Sequence, residues 1–289
     1  MLELLTSNVD TFVAGALGAF GGALGAQIIA SRYQTKRSVV EELNSVSAAH
    51  GFCFAFCNRL LGLKKQHVRP MRDRFAEVEQ EHQRHVVARR GQRGPDAPVF
   101  ELHADLQTLT PPKISVETLE QLVFEKMRIR GRGLVAAVEF VGAFDGLEKS
   151  IAYRNALIAE IQSAAPPLTG RQLAERYLGL QTERGVVDER FRVSIKAIFE
   201  QTDDCIFFVR TLADDLLAHE RKLRRRYAWR YWLRVPKLKP HDWSKAEAHD
   251  LIPPHEQYED WLQGFRKKPT KLHRARSWLS SRFKRRVDQ

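Results

Sequence analysis

Residues 191–223, FRVSIKAIFEQTDDCIFFVRTLADDLLAHERKL, decide the fold class. Phe191, Ile195, Ile198, Thr202, Cys205, Val209, Leu212, Leu216, His219 and Leu223 follow one another in steps of four and three. That alternation is the heptad spacing of a helix with one continuous apolar seam, the pattern of a coiled coil. The spacing predicts a helix over about 187–232, roughly 70 Å long at 1.5 Å per residue.

The same period recurs upstream. Val39, Leu43, Val46, His50, Cys53, Cys57 and Leu60 form a second seam, and no proline interrupts the chain before Pro70. One helix is therefore expected to reach about residue 65, and Met71, Phe75 and Val78 suggest another ending near Gly91. The stretch GQRGPDAP (91–98) reads as a loop, and 99–109 fits a strand or a short helix equally well. Ser115 is placed to cap a helix reaching about 130, and a longer one is expected over about 133–164. Thr169 and Gln172 have capping-box spacing for a helix to about 180. Beyond Pro236 and Pro240 only short helices are expected, about 254–263 and 271–286. With no hairpin pattern and no internal repeat, the predicted fold is all-α.

Outward from the second seam, residues 11–31, TFVAGALGAFGGALGAQIIAS, carry no charge in a chain that is 28% charged. Twenty-one helical residues can cross a hydrocarbon core of about 30 Å. Val13, Leu17, Phe20, Leu24 and Ile28 share one bulky face. Ala14, Gly18, Gly22 and Ala26, with Gly21 and Gly25 beside them, share a small one. Small-xxx-small pairs let two helices approach closely in lipid, so this face is expected to contact another copy of the chain. Residues 1–10 hold Glu3 and Asp10 and no basic residue, unlike a cleaved signal peptide, whereas Arg32, Lys36 and Arg37 follow the span. The positive-inside rule then puts the N-terminus outside and the rest in the cytoplasm, under the inner (cytoplasmic) membrane.

The net charge of +12 is unevenly placed. Residues 220–240 carry +8 and residues 265–289 carry +9, which leaves a mildly acidic body. Within the first of these lies RKLRRRYAWRYWLR (221–234), where Arg224, Arg225, Arg226 and Arg230 interleave with Tyr227, Trp229 and Trp232. It fits a membrane surface, where Trp and Tyr favour the headgroup level and each basic residue contributes about 1 kcal/mol on an anionic leaflet. It also fits nucleic acid, with Arg on phosphates and aromatics on bases, or a solvated helix end favoured by the helix dipole. Helix parity favours the membrane. If the helices to about 65, to 91, over 133–164 and over 187–232 alternate in direction, the last one returns to the bilayer.

Enzymatic motifs are missing. There is no phosphate-binding Gly-rich loop, nucleophile elbow, His-Glu-x-x-His pair or Cys-x-x-Cys pair. Three cysteines make no disulfide framework and suit a reducing compartment, and Cys53 and Cys57 read as buried thiols. Glu79 and His82, with Glu81 and His85 nearby, have the spacing of half a di-iron motif but lack its second half, so they read as a solvated face. Asp203–Asp204 and Asp214–Asp215 straddle the seam edge, one member of each exposed and the other set to meet an Arg. His50 and His219 occupy seam positions and could make assembly sensitive to pH. No cofactor, metal or catalytic site is expected.

The chain thus reads as a short extracytoplasmic N-terminus (1–10), a transmembrane helix (11–31), a cytoplasmic antiparallel bundle (32–235) and a basic tail (236–289). The function expected is a self-associating scaffold, sensor or interaction protein on the bilayer. A tethered nucleic-acid-binding protein and a membrane-perturbing effector are the alternatives.

Overall fold

The computed structural model describes residues 2–91, 100–233 and 235–266, with no side chains assigned before Gly22. All its regular elements are helical: α1 (Leu2–Leu63), α2 (Arg69–Gly91), α3 (Val116–Glu120), α4 (Arg132–Gln162), α5 (Gly170–Leu178), α6 (Arg190–Tyr231), α7 (Ser244–Ala248) and α8 (Glu259–Gln263). Among the described residues no strand occurs, only an isolated bridge between Gln181 and Val187. The described residues up to Ile252 and those from Pro253 onward form separate compact units. In the second, a 3₁₀ turn (His255–Tyr258) precedes α8, Trp261 packs on Phe265 and Arg266 pairs with Glu259. The helix expected over 271–286 lies outside the described residues.

The heptad positions became the core. Val39, Leu43, Val46, Cys53, Cys57 and Leu60 of α1 and Phe191, Ile195, Ile198, Cys205, Val209, Leu212 and Leu216 of α6 are all buried. Helix α6 runs antiparallel to α1, with Glu42 beside His219, Lys64 beside Asp203 and Glu79 beside Arg192. It is also antiparallel to α4, which contributes Phe140, Phe144, Leu147 and Ile151 to the same core. Arg132 grips Asp215 through two bonds of 2.9 and 2.6 Å at one end of that pair, and Arg190 meets Glu160 at the other. Close approach at the upper end requires glycine at 133, where a Cβ would lie 2.7 Å from Ile129 Cδ1 and 3.0 Å from Asp215 Cβ.

One expectation is corrected. The chain does not turn back near residue 65, because α1 continues through a π-helical turn (Lys64–Val68) into α2. The Arg69 N–H bonds to the Lys64 carbonyl, five residues back. Pro70 has no N–H, and its ring would collide with the carbonyl four residues earlier in a regular helix. The wider turn placed just before Pro70 opens space for that ring and keeps the helix going.

The return leg comes instead from residues 100–131. Phe100 packs on His82 and His85, Arg59 donates to the Lys113 carbonyl, and the Arg128 N–H reaches the Glu42 carboxylate at 2.9 Å. This segment therefore climbs back along α1. Its first half is extended, and the helix expected to reach 130 is only α3 followed by a π turn (Gln121–Glu125). Asn155 bonds both the N–H and the carbonyl of Leu109, at 3.0 and 2.7 Å. Arg154, 1% exposed, donates to the Gln107 and Asp105 carbonyls, and the Tyr177 hydroxyl accepts the Asp105 N–H. Gly131, at φ +67°, then turns the chain into α4.

The π turn also supplies the buried ion pair of the core. Lys64 Nζ lies 2.5 Å from Asp203 Oδ1 and donates to the Leu251 carbonyl at 3.0 Å. Burial pushes the Asp203 carboxyl up, and the Lys64 ammonium partly offsets this. Removing one partner strands the other's charge. We expect Lys64→Ala to cost about 3–5 kcal/mol in thermal unfolding of the full chain, and Lys64→Met with Asp203→Leu to recover most of that loss. Equal losses in the single and double variants would show that the pair carries no such charge penalty.

Candidate functional site: the basic aromatic end of α6

Helix α6 is 42 residues long, and its antiparallel register against α1 carries its last turns past residue 36. Arg230, Tyr231 and Trp232 there face Arg32, Tyr33 and Lys36 across a shallow cleft of about 550 Å³. The basic aromatic segment thus sits beside the residues that end the apolar stretch 11–31. Parity of four alternating helices does not bring it there; the climb of residues 100–131 does.

The aromatic residues are unusually placed. Trp229 is 94% exposed and Trp232 84% exposed, far outside the usual burial of tryptophan. Trp232 also adopts φ +49° just beyond the last helical residue, a left-handed position that usually falls to glycine or asparagine. The conformation costs on the order of 1 kcal/mol. Tyr227 packs on Tyr231, while Arg226 and Arg230 lie over their rings. Close by, Leu24, Ile28, Ile29 and Tyr33 of α1 are all more than half exposed.

Of the basic residues singled out from sequence, Arg225, Arg226 and Arg230 are exposed. Arg224 is placed differently. It is engaged by the buried Glu220 carboxylate one turn back and by the Pro236 carbonyl, so it secures the segment that follows α6. That segment, residues 235–252, lies along α1. His241 stacks between His50 and Phe54, Arg69 donates to the His249 carbonyl, and Arg210 pairs with Glu247. Sequence reading missed this strap, because its contacts come from isolated residues of no particular period.

In the small face of the apolar stretch, Ala14, Gly18 and Gly21 have surroundings outside the described residues. A Cβ at Gly22 or Gly25 would meet nothing within 4 Å, and Ala26 is exposed. Among the described residues the run Gly22–Arg89 is long and apolar enough to cross a membrane. Half of its most apolar stretch is buried in the bundle, as in the core helix of a soluble protein.

The groups considered for chemistry have structural partners. Glu79 pairs with Arg192, His82 and His85 pack on Phe100, and no cluster among the described residues is arranged to hold a metal. Asp203 meets a lysine, whereas Asp215 does meet an arginine. The three thiols are buried, and burial pushes Cys57 up to about 12, which leaves it protonated. His219 Nε2 lies 2.9 Å from Glu42 Oε1. Comparison with family models, curated proteins and solved structures finds no match for this chain.

Two predictions follow from the strap. Arg224→Ala leaves Glu220 buried without its cation and is expected to cost about 2 kcal/mol, whereas Arg225→Ala stays within about 0.5 kcal/mol. Thermal midpoints of the two variants compare these directly, and equal losses would remove Arg224 from its structural role. Burial and the neighbouring His241 lower His50 to about 4, so the folded state favours its neutral ring. Stability from this group is complete above pH 6.5 and falls by about 3 kcal/mol as pH drops toward 4. His50→Phe should flatten the midpoint between pH 6.5 and 4; an unchanged slope would assign the acid sensitivity to other groups.

Proposed function

We propose that this chain is a non-enzymatic, single-pass membrane scaffold or sensor. Its span is residues 11–31, with the N-terminus outside and the bundle on the cytoplasmic face of the inner membrane. Copies associate through the small face (Ala14, Gly18, Gly21, Gly22, Gly25, Ala26) and through coiled-coil-like packing of the bundle. The observation that carries this reading is the cleft where Arg230, Tyr231 and Trp232 meet Arg32, Tyr33 and Lys36. Two segments 200 positions apart in sequence present cations and aromatic rings at one level, directly after the uncharged stretch. Trp and Tyr at the headgroup boundary with Arg and Lys toward phosphate is the arrangement a bilayer surface selects. Water alone gives no reason to expose Trp229 and Trp232 so fully.

The test uses the full chain. It should stay with membranes after alkaline carbonate extraction. In vesicles, a lipid brominated near its headgroup should quench its tryptophan fluorescence, and Trp229→Phe with Trp232→Phe should remove most of that quenching. Gly18→Leu with Gly22→Leu should reduce cross-linked dimer. Extraction by carbonate together with salt-sensitive retention on single-stranded DNA would replace this reading with nucleic-acid binding.

A further inference from the structure

A second recess lies just below the cleft, between the same two helices. It is a groove of about 560 Å³ between residues 34–42 of α1 and residues 219–227 of α6, closed on one side by residues 128–130. Met127 and Ile129 are buried while Arg128 and Arg130 are exposed, so the extended backbone there directs both guanidinium groups the same way. Lys222 and Arg226, one helical turn apart on α6, also line the groove. None of these four cations forms an ion pair among the described residues.

The nearby carboxylates are already engaged. Glu42 takes the Arg128 N–H and His219, Glu220 takes Arg224, Asp215 takes Arg132, and Glu41 takes Arg37. Only Glu42 among these lines the groove, beside the hydroxyl-bearing Thr35 and Ser38. Four cations thus line the groove against one carboxylate, Glu42, whose oxygen is already held by the Arg128 N–H and His219, and this excess of positive charge forms a receptor for a multiply charged oxyanion. We propose that the groove binds a phosphate group, supplied by the headgroup of an anionic phospholipid. The groove begins at Gln34, three residues beyond Ser31, within about 5 Å of the end of the apolar stretch. Lipid phosphates lie in the headgroup layer just outside the hydrocarbon core. The assignment of lipid as the source rests on the membrane reading above; the phosphate site itself does not.

The experiment follows thermal unfolding of the full chain in a non-ionic detergent. Micelles containing phosphatidic acid at a hundredfold excess over Kd should raise the midpoint by about 5 °C relative to phosphatidylcholine. Arg128→Gln with Arg130→Gln should abolish that rise, as should Lys222→Gln with Arg226→Gln. All four side chains line an open groove, so both variants should match the wild-type midpoint in phosphatidylcholine, which separates lost binding from lost folding. No rise for the wild type, or an undiminished rise in both variants, overturns the site. An equal rise with inorganic phosphate at the same concentration overturns lipid as the source. Carbonate extraction tests the span separately: a chain that is extracted but still stabilised by phosphatidic acid loses the anchor and keeps the groove.

Discussion

An extended segment that joins no sheet must have its backbone hydrogen bonds supplied by side chains, and this fold depends on such a segment. Residues 100–131 lead the chain back along a helix that otherwise travels in one direction for about ninety residues. Backbone groups left unpaired in the interior cost about 1–3 kcal/mol each, so the return path exists only where partners are provided. Arg154, Asn155, Tyr177 and Arg59 provide them. With that leg in place, α4 starts at the upper end of the bundle, runs down, and leaves α6 to climb back to the start of the core.

That path explains what could be read from sequence and what could not. The heptad positions of α1 and α6 were legible because a seam buried against neighbours must repeat every three or four residues, and each apolar member except the half-buried Leu223 at its end is buried. The capping box was legible because it is local: Thr169 and Gln172 exchange both of their bonds. Residues 100–109 were not legible, because their conformation is set by side chains 46 to 72 positions away. The turn expected near residue 65 failed for a related reason. Pro70 signals that a regular helix must stop, but a π turn is a second way to accommodate the ring, and packing of α2 against α6 favours it.

The basic aromatic segment was visible as composition, but its members separate only in three dimensions. Arg224 belongs to the interior through Glu220, whereas Arg226 lies outside it. Arg128 and Arg130 gave no signal, since they sit far from the charge cluster and join it only through the return leg. The alternation of buried and exposed residues over 127–130 was present in the sequence, but too short to stand out from its surroundings.

The π turn at Lys64–Val68 has a mechanical consequence. A rod of α-helix resists bending along its length and yields first where its hydrogen-bond ladder is widened. Here the soft joint coincides with the lysine that neutralises Asp203, so flexing the rod and pulling apart the buried charges are a single event. The ion pair therefore acts as a splint across the one joint in an otherwise stiff shaft, and a force applied at either end of the shaft is resisted there.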